Sequence, residues 1–287
     1  MTDECIIPAG SAIGAALRAG VKSRRMIFVA GLPSSGKSLM LQQLTILAHQ
    51  AGRRIHSMQW DGARRAFETP EWLAKYPEVN DLTHPGIRKA VGLWVREAVA
   101  GWDAANPDPA DILIAELPVV GGRFTELMQP HEDAAEPLLA GEGAVFFVPV
   151  PSLERRQVIT WFRAETFANP RNEQETKDAP IYIVENDWMA ARQLHNAWTG
   201  TANDAERDAQ YDPAIYRAVF ERLARFRNLQ ILDVDQAFET KGSAYERSMP
   251  VSELRADADA VAAAYAALEA QFPGEKAERA ADGWADY

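Results

Sequence analysis

The chain of 287 residues is poor in cysteine and lacks the histidine patterns that bind zinc. Its single cysteine, Cys5, excludes a framework of intrachain disulfides and a zinc site built from cysteines. None of the five histidines stands in an H-E-x-x-H or H-x-x-E-H spacing, which argues against a zinc site. This cysteine content is typical of a reducing compartment, so we expect a cytoplasmic protein.

The chain also lacks an excess of positive charge and long apolar runs. Its 30 Lys and Arg residues stand against 41 Asp and Glu residues, which gives a formal net charge of −11. Proteins that bind phosphate backbones usually carry the opposite sign, so nucleic acid is not expected as a partner. No run approaches the roughly 18 apolar residues of a spanning helix. The first residues lack the basic and apolar regions of a secretory signal, so we expect no membrane partner.

Short apolar runs alternate with helical patterns along the chain. Five runs have the length of buried strands, at 25–30, 55–60, 112–117, 144–149 and 229–234. Helical patterns lie between them, the segment 63–86 is expected to be irregular, and a last helix is expected at about 251–271. The alternation predicts an α/β fold with a five-stranded parallel sheet between helices. With no obvious linker, a single domain over 1–287 is expected.

Residues 31–38 read GLPSSGKS and match the pattern G-x-x-x-x-G-K-[ST] at every fixed position. Glycines let such a loop bring backbone N–H groups onto phosphates, beside the positive N-terminus of the next helix. Lys37 is expected to be solvent-reachable and to contact the β- and γ-phosphates, and Ser38 to ligate Mg²⁺. Chance gives this pattern in roughly one of a hundred chains of this length. The residues predicted to bind ATP are Gly31, Pro33, Ser34, Ser35, Gly36, Lys37 and Ser38.

Two acidic residues follow predicted strands. Glu116 ends the run Ile-Leu-Ile-Ala, where enzymes with this loop hold a second carboxylate near Mg²⁺. It is predicted to hold the metal directly or through a water, with a turn before Pro118 as the alternative. Asp61 closes the second predicted strand, at the edge where parallel sheets gather ligands. It is predicted to accept a proton from an attacking hydroxyl, with an Asp-Gly turn or a helix cap as the alternative.

These residues resemble those of the P-loop kinases. The loop is similar to that of small-molecule and tRNA-modification kinases, among them chloramphenicol phosphotransferase-like and zeta-toxin-like kinases. The resemblance implies a five-stranded parallel sheet, an acid after the second strand at Asp61, and an arginine-bearing lid after the fourth strand. It covers 30–40 and, loosely, 55–65, 112–124 and 150–171. Glu116 stands where Asp is commoner, and the stretches 63–86 and 168–212 are peculiar to this chain, so the substrate is not transferable.

The lid implied by the resemblance falls at about 153–180. Arg155 and Arg156 are predicted to bind the nucleotide, and Arg163 to stabilise charge on the transferred phosphoryl group. Arg171 lies in the same segment. A solvated helix surface is the alternative for each of these arginines.

Three further segments are assigned to the acceptor and the periphery. Arg64 and Arg123 are predicted to hold the substrate, Arg123 beside two glycines that let the backbone approach a ligand. The region 63–105 is expected to cap the substrate, with Trp72, Tyr76 and His84 available there, although aromatic residues of this kind more often pin a loop to the body of the protein. Residues 250–287 are expected to form a C-terminal helix and tail.

Together these features predict an ATP-dependent kinase that acts on a small hydroxylated molecule with Mg²⁺. A nucleotide-hydrolysing switch or regulatory ATPase is the alternative, although the Asn-Lys-x-Asp motif of GTPases does not occur. A nucleic-acid kinase is disfavoured by the negative charge.

Overall fold

A six-stranded parallel sheet forms the centre of the computed structural model, which describes residues 4–78, 82–170, 180–238 and 249–287. The strands are β1 (Met26–Ala30), β2 (Arg54–Met58), β3 (Asp111–Leu117), β4 (Ala144–Pro151), β5 (Leu229–Val234) and β6 (Ser252–Glu253). They lie in the order β5-β4-β1-β3-β2-β6, and each neighbouring pair is parallel. The predicted α/β class is confirmed. The count of five strands is wrong, because the two exposed residues of β6, too few to show a pattern, pair with β2.

Helices cover both faces of this sheet. Side chains alternate along β1, so Ile27 and Val29 belong to one core and Phe28 and Ala30 to the other. The first core is closed by α1 (Ala12–Ser23) and α2 (Lys37–Gln50), and the second mainly by α5 (Pro85–Ala105), α10 (Pro213–Leu223) and α11 (Ala258–Gln271). The other helices are α3 (Trp60–Phe67), α4 (Pro70–Lys75), α6 (Glu136–Ala140), α7 (Leu153–Ala168), α8 (Ile181–Thr199), α9 (Ala205–Ala209) and α12 (Lys276–Asp282), with a 3₁₀ turn at Thr125–Leu127.

The second strand ends earlier than the sequence predicts. It stops at Met58, and Trp60 and Asp61 begin α3. Trp60 extends the apolar run, but its ring packs edge-on against Phe124 at 5.3 Å between centroids, from a helix rather than a strand. The prediction that Asp61 closes a strand is therefore wrong, because Asp61 lies in the first turn of α3. A negative charge in the first turn of a helix interacts favourably with the helix macrodipole and stabilises the helix.

The segment 63–86 is not irregular, since it contains most of α3 and all of α4. Trp72 of α4 stacks on Tyr265 of α11 with ring centroids 3.6 Å apart, and Tyr76 lies parallel to the same ring at 5.9 Å. The aromatic residues of this segment therefore pin it to the body. The helix predicted at 251–271 is α11 and begins at Ala258, because Asp257 caps it by accepting a bond from the Ala260 N–H at 2.8 Å. It is not the last helix, since α12 follows it in the predicted tail.

The sheet topology brings the loops after β1 and β3 together at one edge. Val29 is the register partner of Glu116, and the Gly31 N–H donates to the Leu117 carbonyl at 3.0 Å. The chain leaves β1 for β2 and leaves β3 for β4, so these adjacent strands send their connections in opposite directions. Such a switch point is where open parallel sheets bind ligands. Within the described ranges, no helix has the length and apolar character needed to cross a membrane.

Candidate functional site

The loop at residues 31–38, called the glycine loop below, turns sharply between β1 and α2. Gly31 has a φ of +150°, and a Cβ there would lie 2.5 Å from the hydroxyl oxygen of Tyr216. Gly36 has a φ of +96° and occupies the N-cap position of α2 without a side-chain hydrogen bond. Both positions therefore favour glycine. The first N–H groups of α2 face the switch point with no side chain capping them, which leaves a positive helix end for an anion.

Lys37 lies under this loop rather than in solvent. Its side chain is 6% exposed, and its Nζ donates to the Leu32 carbonyl at 2.9 Å and lies 3.5 Å from Glu116 Oε1. The pKa of Lys37 is lowered to about 8, chiefly by burial. Glu116 and Asp187 oppose the shift, and the positive charges of Arg163 and Arg123 add to it. The expectation of a solvent-reachable lysine is wrong, because the loop and these neighbours enclose it.

The two predicted metal ligands lie on the adjacent elements of this site. Glu116 is on β3 with 22% of its side chain exposed, and Ser38 is half-buried in the first turn of α2. The described residues contain no cluster of three or more His, Cys, Asp or Glu side chains arranged for a metal ion. Magnesium, however, is commonly held by one or two protein oxygens together with substrate phosphates. The pair Ser38 and Glu116 fits that mode of binding.

A further sign that the loop suits an oxyanion is Ser34. Its φ is +61°, its side chain is buried, and its hydroxyl has no hydrogen-bond partner among the described residues. A buried hydroxyl without a partner costs free energy in the folded state. A ligand oxygen at the loop would satisfy it, so the residues present fit a bound phosphate group.

Helix α7 delivers two of the three predicted lid arginines to the glycine loop. Arg156 is 5% exposed, donates through Nη1 to the Pro33 carbonyl at 3.0 Å, and lies over the Tyr211 ring at 4.7 Å. Arg163 is two helical turns further on the same face, and its charge lowers the pKa values of both Lys37 and Arg156. Arg155 instead pairs with Glu154 at 2.7 Å.

Apart from Arg156, the residues of α7 are half-buried or exposed. Arg156 is the single buried residue of α7, while Trp161 and Phe162 are each 58% exposed. Residues 171–179, including Arg171, lie outside the described residues. In the described part of the lid, Arg156 is therefore the residue of α7 that is buried at the site.

The predicted acceptor residues separate into two groups. Arg123 lies in the turn after β3 and forms an ion pair with Asp187 of α8, close enough for both charges to act on Lys37. Arg64 lies in α3, which follows β2, the strand next to β3. It pairs with Asp61 at 3.0 Å and also with Glu68. Asp61 is 62% exposed, and its charge is not among those that act on Lys37, so it does not belong to the buried cluster.

Sequence reasoning missed two residues of the cluster. The Tyr216 hydroxyl accepts a hydrogen bond from the Leu32 N–H at 3.1 Å, and burial raises its pKa to about 12 although bonds to Leu32 and Ser35 oppose the shift. Asp187 supplies the counter-charge of Arg123. Tyr216 is 184 positions from Leu32 and reads as a core residue of an amphipathic helix. No local spacing signals either contact.

The strained backbone of the turn after β3 also belongs to this site. Val119 has a φ of +64°, which a β-branched residue rarely adopts. Its backbone is fixed by a bridge to Arg123 and by the Thr125 hydroxyl, which donates to the Val119 carbonyl at 2.8 Å. Such outliers persist only where their surroundings impose them, often at ligand sites.

The glycine loop, a buried lysine, a strand-borne glutamate and three arginines thus converge at the switch point of a parallel sheet. Chemically, this arrangement can bind a polyanion and stabilise negative charge that develops on it. Comparisons with profiles of known families, with curated proteins and with solved structures gave no significant match to this chain.

Proposed function

We propose that the chain is a phosphotransferase that uses ATP and Mg²⁺ to phosphorylate a small hydroxylated molecule. The observation that carries the proposal is the coincidence of two independent features. The sequence of the glycine loop is the one that binds nucleotide phosphates, and the loop lies at the switch point with Lys37 buried 3.5 Å from Glu116. ATP would supply the γ-phosphoryl group, with Mg²⁺ neutralising part of its charge.

The residues of the loop would bind the triphosphate in this proposal. The N–H groups between Gly31 and Ser38 would donate to phosphate oxygens, and Lys37 would exchange its bond to the Leu32 carbonyl for one to a phosphate. That exchange is favourable because a buried cation gains an anionic partner in place of a neutral one. Ser38 and Glu116 would hold Mg²⁺ from two sides.

The lid arginines would act on the charge of the transferred group. Arg156 is already seated on the loop at the Pro33 carbonyl, so it orients α7 above the phosphates. Arg163 would reach the γ-phosphoryl group from the same helix face, and Arg155 would contribute only if α7 rotates. Closure of this helix would exclude water, which favours transfer over hydrolysis.

The acceptor would enter from the side of β2 and β3. Asp61, oriented by Arg64, is the proposed base for the acceptor hydroxyl, and Arg123 would hold the acceptor nearer to Lys37. The acidic balance of the chain supports a small acceptor rather than a nucleic acid.

The test is a screen of metabolites with ATP labelled on the γ-phosphate, in which transfer to a compound and release of inorganic phosphate are measured together. We expect label on a hydroxylated acceptor, and loss of both transfer and release in Glu116→Gln. The matched control is Glu132→Gln, which removes an exposed carboxylate elsewhere. Phosphate release that no acceptor changes would favour the switch or regulatory ATPase instead, and an activity unaffected by Glu116→Gln would contradict the proposal.

A further inference from the structure

Two guanidinium groups meet at the turn that follows β3. Arg88 of α5 donates through Nη1 to the Gly121 carbonyl, and Arg123 donates through Nε to the Val120 carbonyl at 2.8 Å. A Cβ built on Gly121 would lie 3.3 Å from Arg88 Nη1 and 4.0 Å from Arg123 Nε. Both groups therefore approach the same face of this glycine.

Among the described residues, Arg123 forms an ion pair and Arg88 forms none. Arg123 has an ion-pair partner in Asp187, whereas the bond that Arg88 makes to Gly121 is to a neutral carbonyl. The Arg88 Nε is buried without a hydrogen-bond partner among the described residues. Burial lowers the pKa of Arg88 and the neighbouring Arg123 lowers it further, with Asp282 and Asp187 opposing them.

The pair is also continuous with the candidate site. The charges of Arg123 and Asp187 both act on Lys37, and the charge of Asp187 acts on Arg156 as well. The turn itself is closed from behind by α12, because a Cβ on Gly122 would lie 3.2 Å from the Ala281 carbonyl oxygen. An anion held by the pair would therefore lie beside the glycine loop rather than on a separate face.

We propose that Arg88 and Arg123 form a subsite for an oxyanion, a carboxylate or a phosphate, on the molecule that accepts the phosphoryl group. The inference rests on the proposed function and makes the acceptor an anionic hydroxylated compound. Guanidinium forks bind both oxyanions through paired N–H donors. Asp187 is then the resting counter-ion of Arg123, and the acceptor's anion takes its place.

The experiment measures binding of inorganic phosphate, and separately of acetate, by calorimetry to the full chain carrying Lys37→Met. This background removes the lysine of the glycine loop, and the affinity lost when an arginine is then replaced reports the arginine pair. We expect one of the two anions to bind and at least tenfold weaker binding after Arg88→Gln or Arg123→Gln. Arg65→Gln, which removes an exposed arginine of α3, is the matched control and should leave binding unchanged.

Asp187→Asn keeps the test decisive if the arginine variants fail to fold. Removal of the competing carboxylate should tighten anion binding about tenfold, whereas arginines that only brace the turn predict no gain. Absence of binding to Lys37→Met, or equal binding in all variants, would overturn the subsite. Failure of the proposed function looks different, because the wild type and Lys37→Met would then bind the anion equally while the arginine variants still lose it.

Discussion

The burial of Lys37 predicts that the protein gives up stability to keep this cation. Its pKa falls from 10.5 to about 8, and burial is the largest cause. A fall of roughly 2.5 units corresponds to a cost of about 3 kcal/mol for carrying the charge in the folded state. The variant Lys37→Met removes this cost but leaves the Leu32 carbonyl without a donor, which costs about 1 kcal/mol. The free energy of unfolding of Lys37→Met should therefore be about 2 kcal/mol higher than that of the wild type at pH 7.

The pH dependence gives the prediction its signature. Between pH 8 and 10.5 the unfolded chain keeps the proton on Lys37 more firmly than the folded one does. The stability contributed at this residue therefore rises with pH across that window. The difference in stability between Lys37→Met and the wild type is therefore largest below pH 8, and it decreases by about 2 kcal/mol between pH 7 and pH 9.5.

Urea unfolding at a series of pH values measures this difference by linear extrapolation. Lys75→Met, which removes an exposed lysine paired with Glu269, is the control and should leave the pH dependence almost unchanged. A Lys37→Met variant that is less stable than the wild type at pH 7 would refute the reasoning. So would a stability difference that stays constant across the pH range.

Three further outcomes are expected. The affinity for Mg·ATP should fall about tenfold from pH 8.5 to pH 9.5 in the wild type, because Lys37 loses its proton above its pKa of about 8. Calorimetry on Lys37→Met should show no such fall, and a flat wild-type profile would contradict the role of the lysine. Gly31→Ala should weaken nucleotide binding and lower the free energy of unfolding in urea by about 1–3 kcal/mol, since the positive φ of Gly31 and the nearby Tyr216 hydroxyl leave no room for a Cβ. Wild-type behaviour in both assays would contradict this account. Asp61→Asn should reduce transfer to the acceptor by about 10²–10⁴-fold while background hydrolysis of ATP changes little. Glu116→Gln should reduce both activities. Equal loss of hydrolysis in the two variants would contradict the proposed role of Asp61 as a base.

The parts of the fold that depend on local pattern could be predicted from the sequence. The runs that form β1, β3 and β4 are largely apolar because those strands are buried, and the helical face of α5 recurs at the expected spacing. The boundary after β2 could not be predicted, because Trp60 is apolar and its burial against Phe124 depends on a residue from a distant turn. The sixth strand has only two residues, too few for any pattern.

The candidate site follows the same division. The glycine loop and Glu116 have a local spacing that their chemistry requires, so the sequence indicates both. The burial of Lys37 depends on Glu116, Arg163 and Arg123, which come together only when the sheet forms. Arg156 was indicated by the resemblance, but its seat on the Pro33 carbonyl is a contact across 123 positions of the chain. Such contacts carry no signal in a single sequence.

The most direct test of the central claim, that the glycine loop holds the triphosphate, is a crystal structure with Mg²⁺ and a non-hydrolysable ATP analogue. We predict phosphate oxygens about 3 Å from the N–H groups of Gly36 and Lys37. The Lys37 Nζ should have left the Leu32 carbonyl for a phosphate oxygen, with Glu116 and Ser38 facing the metal. A triphosphate bound elsewhere, or a Lys37 still bonded to Leu32 beside a bound nucleotide, would contradict the claim.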